Sequence, residues 1–402
     1  MSVCRIPYFT RNYIVSRCGS FRELSIKATR LNCFRYFGSS ADTNYKSSGL
    51  WNFTKRWEFC VPIGLGISLV AILQWRHRRK YPYPNDGDVV KGPISDFMVD
   101  CYCSLPLRIT SRIFGWFASI EIPKIFRPVI YNLYAKVFHA NLEEIDSDLT
   151  SFPSLVEFFV RPLKNSTRPI AENSNIVSPS DGTVLHFGPV TSCRVEQVKG
   201  ITYNLRHFLG DVKQQKTEYT SEDNDNYVKS LLMNPNNRLY QLIVYLAPGD
   251  YHRFHSATNW KIDSRRHFQG KLLSVNPRVA SWLPDLFALN ERVVYLGEWS
   301  SGFMAYAAVG ATNVGSIKVY ADETLATNER KWPKGKIHED AIFDCKNFNK
   351  GELFGEFRMG STIVLLFEAP EDFNFCINIG QAIKVGQALT ADSAGQNVIM
   401  NQ

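Results

Sequence analysis

The chain has 402 residues, 45% apolar and 21% charged, enough hydrophobic material to bury a full core; this excludes a disordered protein and fits one large domain with N-terminal additions. Its formal net charge of +8 is spread along the length apart from a concentration at the N-terminus, so no nucleic-acid partner is expected. Cys4, Cys18, Cys33, Cys60, Cys101, Cys103, Cys193, Cys345 and Cys376 form an odd set without a C-x-x-C pair, so neither a metal site nor a disulfide framework is expected.

In chain order, the first element is an address. Arg5, Arg11, Arg17, Arg22, Lys27, Arg30 and Arg35 face a single acid, Glu23, and alternate with apolar and serine residues. That is the texture of a mitochondrial transit peptide, expected over 1–45. Phe59 to Trp75 then runs without a charge, with Trp51, Trp57 and Trp75 at its edges and Lys55, Arg56 and the 76–80 basic cluster outside them. A single transmembrane helix is expected at 59–75, and the heavier charge on its C-terminal side would by itself leave the following domain in the matrix. Residues 81–96 are rich in Pro, Gly and Asp and read as a linker.

From Leu105 to Asn141 the apolar residues take helical spacing, broken at Pro123 and Pro128 and interleaved with Arg108, Arg112, Lys124, Arg127 and Lys136. Such helices suit an anionic membrane surface and suit an ordinary core equally. After residue 175 the texture becomes short β runs: GTVLHF, RLYQLIVYL, RVVYLG, GFMAYAAVGA, GSIKVY and STIVLLFEA. The expected fold class is α+β, with a β-rich antiparallel core and the helices segregated toward the N-terminal side. The polar stretches 211–237 and 321–350 read as surface loops or insertions.

Three segments offer chemistry: Ser178-Pro179-Ser180-Asp181-Gly182, the block from Pro248 to His255, and Phe357 to Thr362. Each has an ordinary reading alone, as a turn, a pair of core histidines or a chance Gly-Ser-Thr. Together they hold a carboxylate, an imidazole and a hydroxyl, the inventory that activates a serine. A serine hydrolase would use that inventory too, but Ser361 lies in M-G-S-T instead of a G-x-S-x-G elbow and precedes an apolar β run. A membrane scaffold in which these motifs are structural is the third reading. A serine directly after glycine has another option, attack on the carbonyl of Gly360, since glycine permits the turn this needs.

The ordered blocks SPSDG, APGDYHRFH, GKLLSVNP, LPDLFALNERVV, VGATNVGSI and GEFRMGSTIVLLFE resemble the phosphatidylserine decarboxylase family from about Gly92 to Leu389. The resemblance implies a catalytic domain over 92–402, cut by itself between Gly360 and Ser361 into a beta chain ending at 360 and an alpha chain of 361–402. It implies a self-processing triad of Asp181, His255 and Ser361, with Ser361 becoming a pyruvoyl cofactor. His252 would serve decarboxylation and Ser274 would line the substrate region. The implied reaction converts phosphatidylserine to phosphatidylethanolamine and CO2 through an imine between the pyruvoyl ketone and the substrate amine. The implied partners are the lipid substrate, the membrane and the sister chain, with room for a homodimer. The implied location is the mitochondrial inner membrane, single-pass, with the domain facing the intermembrane space, against the loop-charge signal. One departure is Met359, where many relatives carry Leu, a change of similar volume.

Overall fold

The computed structural model describes residues 102–211, 219–312, 316–329 and 338–390. The expected transit peptide at 1–45, membrane span at 59–75 and linker at 81–96 lie outside these residues. Among the described residues no helix is long and apolar enough to cross a membrane.

The helical region resolves into α1 (Leu107–Ala118) and α2 (Arg127–Phe138). Pro128 sits in the first turn of α2, where its missing N–H costs nothing, so the proline that reads as a break marks a start. A short α3 (Leu155–Phe159) follows, capped by the Ser154 side chain accepting from the Glu157 N–H. The strands are β1 (Gly182–Pro189), β2 (Arg194–Val198), β3 (Ile201–Asn204), β4 (Asn237–Leu246), β5 (Arg253–His255), β6 (Trp260–Phe268), β7 (Arg292–Trp299), β8 (Gly302–Gly310), β9 (Ile317–Val319), β10 (Glu339–Phe348), β11 (Leu353–Phe357), β12 (Ser361–Pro370) and β13 (Ala382–Ile383).

Eight strands form one sheet in the order β10-β6-β7-β8-β12-β4-β1-β13, every pair antiparallel. A three-stranded sheet, β5-β11-β9, and a β2-β3 hairpin complete the β structure. The expected α+β class with an antiparallel core is therefore found. Strand β12 shows why its sequence is apolar throughout: Val364 and Leu366 face a core shared with α3 and the later short helices, while Ile363, Leu365 and Phe367 face an aromatic core shared with Phe254, Phe354 and Phe357 of the small sheet. A strand covered on both faces loses the polar half of its alternation.

Two loop expectations are corrected. Within 211–237 lies an α-helix, Ser221–Leu231, nucleated by a capping box in which Thr220 and Asp223 bond each other's backbone N–H. Only Tyr227 and Val228 of this helix are buried, too few apolar positions to give a periodic signal. Within 321–350 lies β10, at the edge of the sheet against β6. Its polar character is that of an edge strand, which faces solvent with charged side chains.

Candidate active site

Antiparallel pairing brings the three sequence motifs to one end of the large sheet. Ser361 opens β12 opposite Leu246, the last residue of β4, and opposite Gly310, the last of β8. The block carrying His252 and His255 leaves the end of β4 directly beside it. Asp181 precedes β1, whose first residues pair with Ile383 and Tyr245. Gly182 is required there: at φ 153° its position would place a Cβ 2.3 Å from the Tyr245 carbonyl oxygen. His255 is tied to the Asp181 turn through its backbone N–H, which donates to the Pro179 carbonyl at 2.7 Å.

The peptide before Ser361 is strained. Met359 has φ 101° and Gly360 φ 48°. Glycine adopts such values freely, but methionine does not, at a cost of roughly 1–3 kcal/mol. Ser361 is fully buried and its hydroxyl has no hydrogen-bond partner, as is true of the hydroxyls of Thr362 and Ser180. A buried hydroxyl without a partner is costly, and three of them belong to the Asp181 turn and the start of β12.

Both histidine tautomers follow from their partners. His255 Nδ1 lies 2.9 Å from the Gly351 carbonyl oxygen, which can only accept, so Nδ1 carries the proton and Nε2 presents its lone pair to the Tyr251 hydroxyl at 3.2 Å. Burial lowers its pKa, against the Gly351 bond and the nearby Asp181 charge. His252 Nδ1 lies 2.9 Å from the Asp250 carbonyl oxygen, leaving a fully buried Nε2 without a partner. Burial, partly opposed by that bond and reinforced by Arg161, pushes His252 down to about 3, so it is a neutral base at physiological pH.

Asp181 is not bonded to His255. Its carboxylate accepts from Arg168 Nε at 2.9 Å and Nη2 at 2.5 Å, and from the Val385 N–H at 2.9 Å. Arg168 also holds Glu144 at 2.7 Å, and Lys384 holds the other Glu144 oxygen at 3.0 Å. Burial would raise Glu144, but the two cations outweigh it and bring it down to about 2. Asp250 behaves oppositely: burial, relieved in part by the Ala247 N–H, pushes it up to about 6. Ser274 stands apart. Its N–H donates to the Tyr102 hydroxyl at 3.0 Å, and it follows Leu272, which packs against Gly310, the partner of Ser361 in β8.

The structure thus brings Asp181, His255, His252 and Ser361 to one end of the sheet and places Ser274 on a neighbouring segment. Sequence reasoning missed Arg161, Arg168, Glu144, Tyr251 and Asp250. No sequence signal marked the two arginines, since arginine is ordinarily exposed and their partners lie further along the chain.

Fold and site together define an α+β protein built around a buried serine at a strained strand start. A family model described as phosphatidylserine decarboxylase matches residues 155–391. The mitochondrial phosphatidylserine decarboxylase proenzyme of Cricetulus griseus is 46% identical over 305 residues, 73% of this chain and 74% of the relative. That of Pongo abelii is 45% identical, covering 72% and 73%, and proenzyme 1 of Schizosaccharomyces pombe is 36% identical, covering 88% and 96%. The chain belongs to the phosphatidylserine decarboxylase family.

Proposed function

We propose that this protein cuts itself between Gly360 and Ser361 and then decarboxylates phosphatidylserine to phosphatidylethanolamine. The observation that carries the reading is Ser361 itself, a buried hydroxyl without a partner directly after two residues of positive φ. His255, through Nε2, takes the hydroxyl proton, and Asp181 favours the resulting imidazolium by its charge. Ser361 Oγ attacks the Gly360 carbonyl carbon and the Gly360–Ser361 C–N bond breaks, giving an ester. Loss of the Ser361 Cα proton then breaks the Cβ–O bond, releasing Gly360 as a carboxylate and leaving dehydroalanine. Water converts this to a terminal ketone and ammonia.

The residues fit such a group: Ser361 is enclosed, and His252 offers a bare, neutral Nε2 at the same end of the sheet. The pyruvoyl group supplies an electron sink for the substrate's α-carbon. His252, bare at Nε2 in the resting protein, would have to take up a proton there and pass it to that carbon in place of CO2, and the enclosed site excludes water. Ser274 would line the head-group region.

A lipid substrate stays in the bilayer, so the site must come to it. Ile109, Ile113 and Trp116 form an exposed stripe on α1, and Phe126, Val129 and Leu133 another along α2. These stripes would rest on the membrane, with 1–45 as presequence and 59–75 as anchor in the mitochondrial inner membrane, the catalytic domain facing the intermembrane space. Protease protection in mitoplasts checks that orientation. Intact mass checks the chemistry: two chains are expected, one ending at Gly360 and one of 42 residues with a pyruvoyl end. A single whole chain with an ordinary serine in active protein overturns it.

A further inference from the structure

Arg161, just beyond α3, is 2% exposed. Its Nη2 donates to the Gly249 carbonyl at 2.9 Å, in the turn between β4 and His252. Nε and Nη1 are buried and have no partner. The Phe158 ring, 5.4 Å from the guanidinium carbon, covers one face of the plane but cannot accept the in-plane N–H bonds. Each neighbouring acid is engaged elsewhere: Asp181 with Arg168 and Val385, Glu144 with Arg168 and Lys384, and Asp250 with the Ala247 N–H. A buried cation with idle donors is expensive unless an anion completes it.

Its surroundings point to the head-group site. Arg161 is close enough to His252 to act on its charge. The His252 ring lies 3.9 Å from that of Phe159, two residues before Arg161, and Phe159 shares a core with Met359. Only Met359 and Gly360 lie between the backbone anchors at Arg358 and Ser361, so a cut at Gly360 would leave Met359, which borders this flank, as the least restrained neighbour of the site.

We propose, resting on the decarboxylase reading above, that Arg161 binds the phosphodiester oxyanion of the lipid head group. The substrate carboxylate is the less suitable anion. Its charge leaves with CO2, so a guanidinium on it would stabilise the ground state over the transition state, whereas the phosphodiester keeps its charge throughout.

The test uses full-length, self-cut enzyme with Arg161→Met and Arg161→Lys. Arg161→Met is expected to cut itself as the parent does and to raise KM for a short-chain phosphatidylserine about 10- to 100-fold, the worth of a charge-assisted hydrogen bond, with kcat changed far less. Arg161→Lys should fall between. Glycerophosphoethanolamine and glycerophosphoserine should compete similarly against the parent, and both should lose potency against Arg161→Met. An unchanged KM in either variant overturns the proposal, as does competition by glycerophosphoserine alone, which would place the carboxylate at Arg161. If Arg161→Met fails to fold, the KM of Arg161→Lys decides. A parent chain that stays whole and leaves phosphatidylserine intact sinks the decarboxylase reading instead.

Discussion

Replacing Arg168 with Gln removes the cation from a carboxylate whose side chain is 9% exposed. Asp181 would keep only the Val385 N–H, and Glu144 would keep Lys384. Two unit charges about 4 Å apart at an effective dielectric near 20 attract by about 4 kcal/mol, and stripping one partner from a buried pair typically costs about 3–5 kcal/mol. Because the Val385 donor remains, the expected loss lies at the lower end, about 3 kcal/mol. The measurement is denaturant unfolding in a Ser361→Ala background, which keeps one polypeptide, with Arg168→Gln, Asp181→Asn and the double variant compared. The double variant should recover much of the loss, because the stranded charge goes with its partner. An Arg168→Gln variant within about 1 kcal/mol of its parent, or single effects that simply add, would refute the view that this clamp is a coupled buried pair.

The two histidines should separate by role: His255→Ala is expected to slow self-cleavage about 100- to 10,000-fold on gels, while His252→Ala yields a cut enzyme with poor decarboxylase activity. Equal processing defects in both would contradict the assignment. His252 also gives a pH signature. Its folded pKa of about 3 lies below the usual histidine value of 6.5, so its stabilising contribution is complete above pH 6.5 and is lost as pH falls toward 3. Between pH 7 and 5 the parent should therefore lose about 2 kcal/mol more stability than His252→Gln, read from denaturant midpoints. On the membrane side, Trp116→Glu with Val129→Glu should weaken vesicle binding of a fragment lacking the first 80 residues while leaving its thermal unfolding nearly unchanged; undiminished binding would remove these stripes from the interface.

The sheet was legible because its central strands are uniformly apolar. STIVLLFEA, RLYQLIVYL and GFMAYAAVGA are adjacent in space, each covered on both sides. What escaped was held by polar chemistry. The Ser221–Leu231 helix rests on its capping box, and β6 carries Arg265, fully buried against Asp322 at 3.1 Å, a charge that sequence patterning assigns to the surface. The site followed the same division. Asp181, His252, His255 and Ser361 were readable as reactive types in distinctive blocks, and antiparallel pairing explains why blocks far apart in sequence meet. Arg161 and Arg168 were not singled out, because arginine is ordinarily a surface residue and only burial reveals what these two are holding.

The location of the strain bears on how the proposed cut could be made in the core without unfolding the chain. Ser361 lies at the first residue of β12, so scission before it would leave the strand's pairing with β4 and β8 intact from that residue onward. The C-terminal piece is further stitched by β13 on β1, by Ser178 exchanging backbone bonds with Gly386 and Gln387, and by Val385 on Asp181. On the other side, Phe357 remains bonded to the His252 carbonyl and Arg358 to that of Ser316. Only Met359 and Gly360 lie between these anchors, and both have positive φ, an unfavourable value at Met359. A cut there would release strain while sacrificing no strand pairing, so the fold would persist as two chains, with the new terminus retained at the end of the sheet where the histidines stand.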